Sequence, residues 1–94
     1  MAKFSQSSQV ESFRQRLHPA QRRAFKLAFR ELAMGRGDVA PLESELGDYY
    51  RLRVGYYRVV FRYTTDGEIR CLFAERRELI YDLLRANPEW LLED

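Results

Sequence analysis

The amino-acid sequence predicts an α+β fold in two layers: an N-terminal helical hairpin packed on a small antiparallel sheet, followed by a short C-terminal helix. Three observations lead there. Apolar residues recur every three or four positions up to Leu32. From Tyr49 the period changes to two, with aromatic and β-branched residues dominating. Two hairpin signals, Gly55-Tyr56 and Asp66-Gly67, then divide the remaining apolar segments.

Each element has its own local cause. Lys3-Phe4 can add a brief edge strand to a polar N-terminus. Ser7 or Ser8 can cap a first helix running to about Leu17, with Val10, Phe13 and Leu17 on one face. His18-Pro19 interrupts it, because the residue before proline is pushed out of the helical region. Pro19 suits the first turn of a second helix. There Ala24, Phe25, Ala28, Phe29 and Leu32 form the apolar stripe, with Arg22, Arg23, Lys26 and Arg30 elsewhere. Gly35-Arg36-Gly37 ends that helix. Residues 38–48 read as a loop anchored by Leu42 and Leu46. Strands follow at Tyr49–Val54, Tyr57–Tyr63 and about Ile69–Glu75, and a helix over 78–86 carries Leu79, Ile80, Leu83 and Leu84. Asn87-Pro88 stops it before a short apolar tail, Trp90-Leu91-Leu92.

Composition bounds the function. The chain has 94 residues, 46% apolar and 14% aromatic, so a packed core is expected in one domain over residues 1–94. A single Cys71 excludes an internal disulfide framework and, with one His, argues against a zinc site; no metal or other cofactor is expected. No apolar run approaches the ~18 residues of a membrane span, and the N-terminus lacks a signal-peptide core. A soluble cytoplasmic protein is therefore expected. His18 is expected to mark a helix boundary and Cys71 to be buried beside a strand.

The net charge of +2 conceals opposed blocks. Residues 1–37 carry +6, residues 38–50 carry −4, residues 51–77 carry +4 and residues 78–94 carry −4. Such sorting lets a nearly neutral chain present a basic face to a polyanion. Only Lys3 and Lys26 are lysines; the other basic residues are arginines, which keep their charge and grip phosphate through two donors.

Strand register gathers these arginines. A turn at Gly55-Tyr56 sets Arg53 opposite Arg58 and Arg51 opposite Val60, so Arg51, Arg53, Arg58 and Arg62 share one sheet face. Leu52, Val54, Tyr57, Val59 and Phe61 take the other and pack against the helices. A second turn at Asp66-Gly67 puts Glu75 beside Arg58 and sends Leu72 and Ala74 to the core face. Like charges facing each other across strands destabilise a sheet by a few tenths to about 1 kcal/mol. An anionic ligand gives a reason for the arrangement. The alternative is a solvated sheet face held by pairs such as Arg58–Glu75. Arg76-Arg77 ends the last strand, and Tyr81 follows Arg77 by about one helical turn.

The string Tyr49-Tyr50-Arg51-Leu52-Arg53-Val54-Gly55-Tyr56-Tyr57-Arg58-Val59-Val60-Phe61 resembles the Y-R-[LI]-R-V-G-x-Y-R-[VI]-[VI]-[FY] signature of the RelE/ParE toxin superfamily. The ending Glu75-Arg76-Arg77-Glu78-Leu79-Ile80-Tyr81 is similar to its [HK]-R-x-x-[IV]-Y close, and Leu17-His18-Pro19 before an amphipathic helix also follows the pattern. The match spans roughly residues 4–84. It departs in a short polar N-terminal strand and in Arg76, where His or Lys is usual. The resemblance implies the toxin of a type II toxin–antitoxin pair. RelE-like members cut mRNA in the ribosomal A site without a metal, whereas ParE-like members inhibit DNA gyrase; a catalytically inactive relative would only bind its antitoxin.

Carried over residue by residue, the RelE-like pattern makes Arg53, Arg58, Arg77 and Tyr81 catalytic. Arg51, Arg62 and Arg76 become RNA-binding. Arg58 and Arg77 would stabilise phosphate charge, Arg51 and Arg53 would hold the backbone, and Tyr81 would stack on a base or orient the ribose 2′-OH. RNA-cleaving relatives often have Lys near Arg53, and arginine is a poor acid or base. Proton transfer would then rest on the ribosome, Tyr81 or Glu75, unless Glu75 is merely the partner of Arg58. The implied partners are a cognate antitoxin, the ribosome and mRNA. The antitoxin would dock on the two helices and the apolar stretch Leu79–Leu84.

Overall fold

The computed structural model describes residues 2–42 and 48–92. The expected anchor Leu46 and the acids Glu43 and Glu45 lie outside these described residues. The elements run β1 (Phe4–Gln6), α1 (Ser8–Gln15), α2 (Pro19–Ala33), β2 (Val39–Leu42), β3 (Tyr49–Val54), β4 (Tyr57–Tyr63), β5 (Ile69–Arg76), α3 (Arg77–Ala86) and a 3₁₀ helix at Pro88–Leu92. The α+β class, the helical hairpin on the sheet and the short C-terminal helix are all present. The sheet has five strands in the order β1-β5-β4-β3-β2, with β1 parallel to β5 and the other pairs antiparallel.

The meander of β3, β4 and β5 therefore gains a strand on each side. β1 realises the edge strand expected at Phe4. β2 corrects the reading of 38–48 as loop. Four residues that include Pro41 give little strand signal, and an edge strand tolerates a proline.

Two apolar clusters hold the sheet. On one face Val10, Phe13, Phe25, Phe29 and Leu32 of the helices meet Leu52, Val54, Val59, Phe61, Ile69, Cys71 and Ala74 of the strands. Phe25 is fully buried and lies 5.9 Å, ring centre to ring centre, from both Phe13 and Phe29. On the other face Ile80, Leu84 and Leu91 cover Tyr49, Val60, Leu72 and Phe73. Ile80 and Leu84 thus belong to the chain's own core, so Leu79–Leu84 is not an open docking surface. Leu27 of α2 and Met34 at its C-cap remain exposed.

Leu72 corrects the expected register. The second hairpin closes through Thr65-Asp66-Gly67: the Gly67 N–H donates to the Thr64 carbonyl, the Thr64 N–H donates to the Glu68 carbonyl, and Gly67 has φ +80°. That is a three-residue loop with glycine in the left-handed position, one residue longer than a two-residue Asp-Gly turn. A bulge compensates. Val60 pairs with Phe73 and Phe61 with Cys71, leaving Leu72 as the extra residue. Leu72 consequently joins the second cluster, while Ala74 stays in the first and Glu75 still meets Arg58.

The outer edge of β5 is sealed by α1. Ser7 donates its N–H to the Cys71 carbonyl and its hydroxyl to the Leu72 carbonyl at 2.7 Å, while accepting from the Val10 N–H at 3.3 Å. Gln9 uses its amide as a strand would, donating to the Ala74 carbonyl and accepting from the Ala74 N–H, both at 2.8 Å. These side chains satisfy backbone groups that β1 is too short to reach. His18 occupies the cap position of α2 without a side-chain hydrogen bond.

Ser7→Ala removes a helix cap and leaves a buried carbonyl unpaired, so it should cost about 1–3 kcal/mol in urea unfolding with an unchanged slope. A loss under about 0.5 kcal/mol would contradict that role. Cys71 is fully buried, and burial pushes its thiol up to about 12. Alkylation at roughly pH 8.5 should therefore proceed only at the rate of opening, and rise to the free-thiol rate in denaturant.

Candidate functional site

The β3–β4 turn sets the geometry. Gly55 has φ +59° and Tyr56 has none of the left-handed character, as a type II′ turn requires. The register that follows pairs Arg53 with Arg58 and Arg51 with Val60, and Arg58 with Glu75 on the next strand. These arginines lie on the sheet face turned away from α1 and α2. α3 begins at Arg77, directly after β5, and its first N–H donates to the Tyr56 carbonyl at 2.9 Å. One turn on, Tyr81 is 42% exposed.

The electrostatics show which groups have been brought together. Arg58 is pushed below its ordinary value, first by burial and then by Arg51, Arg53 and Arg77, with Tyr81 acting in the opposite sense. Its guanidinium Nη1 donates to the carbonyls of Gly55 at 3.0 Å and Tyr57 at 2.9 Å, which binds it to the turn. Among the described residues, no carboxylate lies within ion-pair distance of Arg58. Arg51 and Arg53 share Asp38, at 3.9 and 3.8 Å. Arg51 Nη1 is shielded from solvent and makes no hydrogen bond. Arg51, Arg53, Arg58, Arg77 and Tyr81 thus form one cationic cluster, with Asp38 loosely held at its rim.

The remaining expected residues sit differently. Glu75 is beside Arg58 in register but does not pair with it; its carboxylate accepts from the Arg76 N–H at 2.9 Å. Arg76 is exposed at the cap of α3 and faces Glu78 at 3.5 Å. Arg62 shares the face but lies four residues along β4, about 13 Å away, opposite Arg70. The apolar cluster under α3, which includes Val60 and Phe73, occupies the middle of that face. Asp38 was not legible as a member of the site. It belongs to an acidic segment, and only the unforeseen pairing of β2 with β3 places it by Arg51 and Arg53.

Four guanidinium groups at one end of a sheet carry the donors and charge that could hold a phosphate. They also work against the fold, since Arg53 faces Arg58 directly. Arg53→Gln should raise stability by a few tenths to about 1 kcal/mol in urea unfolding while weakening polyanion binding. Loss of stability would show that Arg53 is held by favourable contacts instead.

No protein-family model matches the chain, and no curated protein matches it. Solved structures do. A chain of the archaeal RelE–RelB complex from Pyrococcus horikoshii OT3 is 31% identical, with 81% of this chain and 94% of that one covered at a TM-score of 0.64. The RelBE2 toxin–antitoxin complex of Mycobacterium tuberculosis matches at 20% identity, covering 81% of this chain and 98% of that one, with a TM-score of 0.66. The RelB–RelE antitoxin–toxin complex of Methanococcus jannaschii matches at 23%, 87% and 98%, with a TM-score of 0.64. The latter two share the fold. With nearly all of the Pyrococcus chain covered at that identity, the chain described here belongs to the RelE-like toxins of the RelE/ParE superfamily.

Proposed function

We propose that this chain is the toxin of a type II toxin–antitoxin pair and acts as a metal-independent, ribosome-dependent endoribonuclease that cuts mRNA and so inhibits translation. The observation that carries the reading is Arg58, pressed by burial and by three neighbouring arginines, with no acid to neutralise it among the described residues. Among the described residues Asp38 is the only carboxylate within ion-pair distance of these four arginines, so the site carries an excess of positive charge that a phosphate in an RNA chain would balance.

The reaction needs little else from the protein. The ribose 2′-oxygen loses its proton and attacks the adjacent phosphorus, and the bond from phosphorus to the 5′-oxygen breaks. The products are a 2′,3′-cyclic phosphate and a 5′-hydroxyl, with the proton passed to the leaving oxygen. Arg58 and Arg77 stabilise the charge that builds on the non-bridging oxygens. Arg51 and Arg53 hold the flanking backbone. Tyr81 orients the 2′-OH or stacks on a base. Arg53 contributes charge and not basicity, so proton acceptance falls to Tyr81, to Glu75 or to the ribosome. Arg62 and Arg76, outside the cluster, would contact RNA further along.

The partner is a cognate antitoxin. The neighbours above are toxin–antitoxin complexes. On this chain α2 exposes Leu27, and Met34 is exposed at its C-cap, which suits an apolar helix laid alongside.

Induction in cells, followed by mapping of transcript ends, tests the reading. New 5′ ends should appear within translated codons. Arg58→Ala and Arg77→Ala should each lower cleavage by roughly 10²–10³-fold, the scale of a lost charge-stabilising donor. Growth arrest without new ends, together with loss of gyrase supercoiling in vitro, would assign a ParE-like target. No growth arrest would leave an inactive antitoxin-binding relative. Cleavage abolished by EDTA while ribosomes stay intact would contradict the metal-free step.

A further inference from the structure

One acid stands at the rim of the cationic cluster, and the proposed reaction gives it no part. Asp38 lies just ahead of β2, and its backbone is built into the sheet. Its carbonyl accepts from the Arg53 N–H at 2.9 Å, which extends the β2–β3 pairing by one step. The approach to it depends on Gly37, which has φ +117° and whose Cβ, if it had one, would meet Leu52 Cδ1 at 3.2 Å. Both the backbone angle and the close approach call for glycine. Main-chain geometry therefore sets Asp38 beside Arg51 and Arg53.

The side chain is held quite differently. Oδ1 faces Arg51 Nη1 at 3.9 Å, and Oδ2 faces Arg53 Nη1 at 3.8 Å. Each oxygen addresses a separate guanidinium, and each is too far away for a hydrogen bond. The Asp38 side chain is 55% exposed, so water can replace either contact at small cost. Arg51 is the less accessible partner. Its side chain is 26% exposed, and Nη1 is shielded from solvent without a hydrogen bond. A shielded donor left unpaired is costly, and Asp38 comes near it without satisfying it. An anion with two oxygens about 1 Å closer would satisfy both arginines at once, and a phosphate presents its oxygens that way.

We infer that Asp38 is an internal counter-ion for Arg51 and Arg53, standing where a phosphate goes until the RNA backbone displaces it. The inference rests on the endoribonuclease reading above and adds to it a residue that sets affinity for the RNA. In the unbound chain the carboxylate screens Arg51 and Arg53 from each other and from Arg58, which both of them press. On binding, the phosphate takes the two guanidinium groups and the carboxylate turns out to water. Asp38 thus works against substrate affinity and in favour of the unbound fold. Among the described residues neither Arg58 nor Arg77 pairs with it, so the two charge-stabilising arginines are left alone.

The test is single-turnover cleavage of ribosome-bound mRNA over a range of toxin concentrations. Asp38→Asn keeps the shape and removes the charge. It should lower the half-saturating concentration roughly 2- to 30-fold, the combined worth of two exposed ion pairs, while the rate at saturation moves far less. It should also lower the midpoint of urea unfolding, because Arg51, Arg53 and Arg58 lose their screen. Asp38→Glu, which restores the charge on a longer arm, should return the half-saturating concentration to the unaltered value or above it. Added to Arg53→Gln, Asp38→Asn should bring a smaller gain, since one of its two pairs is already gone. An unchanged or higher half-saturating concentration in Asp38→Asn, with Arg58→Ala still defective, would overturn the counter-ion role alone. No cleavage on ribosomes by the unaltered chain, or cleavage that Arg58→Ala leaves intact, would overturn the endoribonuclease reading and this inference with it.

Discussion

The two-residue turn at Gly55-Tyr56 governs the placement of every group in the site. Its left-handed glycine fixes the β3–β4 register, and that register alone decides that Arg53 faces Arg58. The turn's two carbonyls then receive the guanidinium of Arg58 and the first N–H of α3. A chain reversal, a strand pairing and a helix start are thereby joined at one point. A turn one residue longer, with no bulge to compensate, would move the arginines of β4 to the core face, since side chains alternate with a period of two. The functional groups are placed by backbone geometry and not by pairing with one another.

That placement runs against local stability. Like charges oppose each other across the strands, and the acid nearest in register turns to a backbone N–H instead of to Arg58. The stability that tolerates this comes from elsewhere. Two apolar clusters clamp the sheet from both faces, and Ser7 and Gln9 complete the hydrogen bonding of the β5 edge. The second cluster also explains the division of the basic face. α3 and the 3₁₀ helix cover its centre, so the arginines at the turn end act together while Arg62 and Arg70 lie beyond.

Much of the fold and of the cluster is legible in the sequence because it depends on short-range rules. The helix stripes, the type II′ turn and the alternation of Leu52, Val54, Val59 and Phe61 follow from period and turn chemistry. So does the gathering of Arg51, Arg53 and Arg58, which needs only one turn and one register. The features that are not legible depend on distant segments. β2 is an edge strand defined by its partner, and with it comes Asp38. The bulge at Leu72 compensates for a three-residue loop, two changes that cancel at Glu75 and so conceal each other. The position of Glu75 is legible but its bonding is not, because a backbone donor at a helix start has no signature in side-chain spacing. The burial of Ile80 and Leu84 likewise reflects which face α3 meets.

On the proposed reading, separate strands and a helix start present their arginines to one phosphate. Single-turnover cleavage of ribosome-bound mRNA by Arg58→Ala, Arg77→Ala and the double variant puts that convergence to the test. If both side chains stabilise the same transition state, their losses are strongly coupled, and the double variant is little worse than the poorer single one. Free energies that simply add would contradict a shared phosphate, since they would place the two arginines at independent sites.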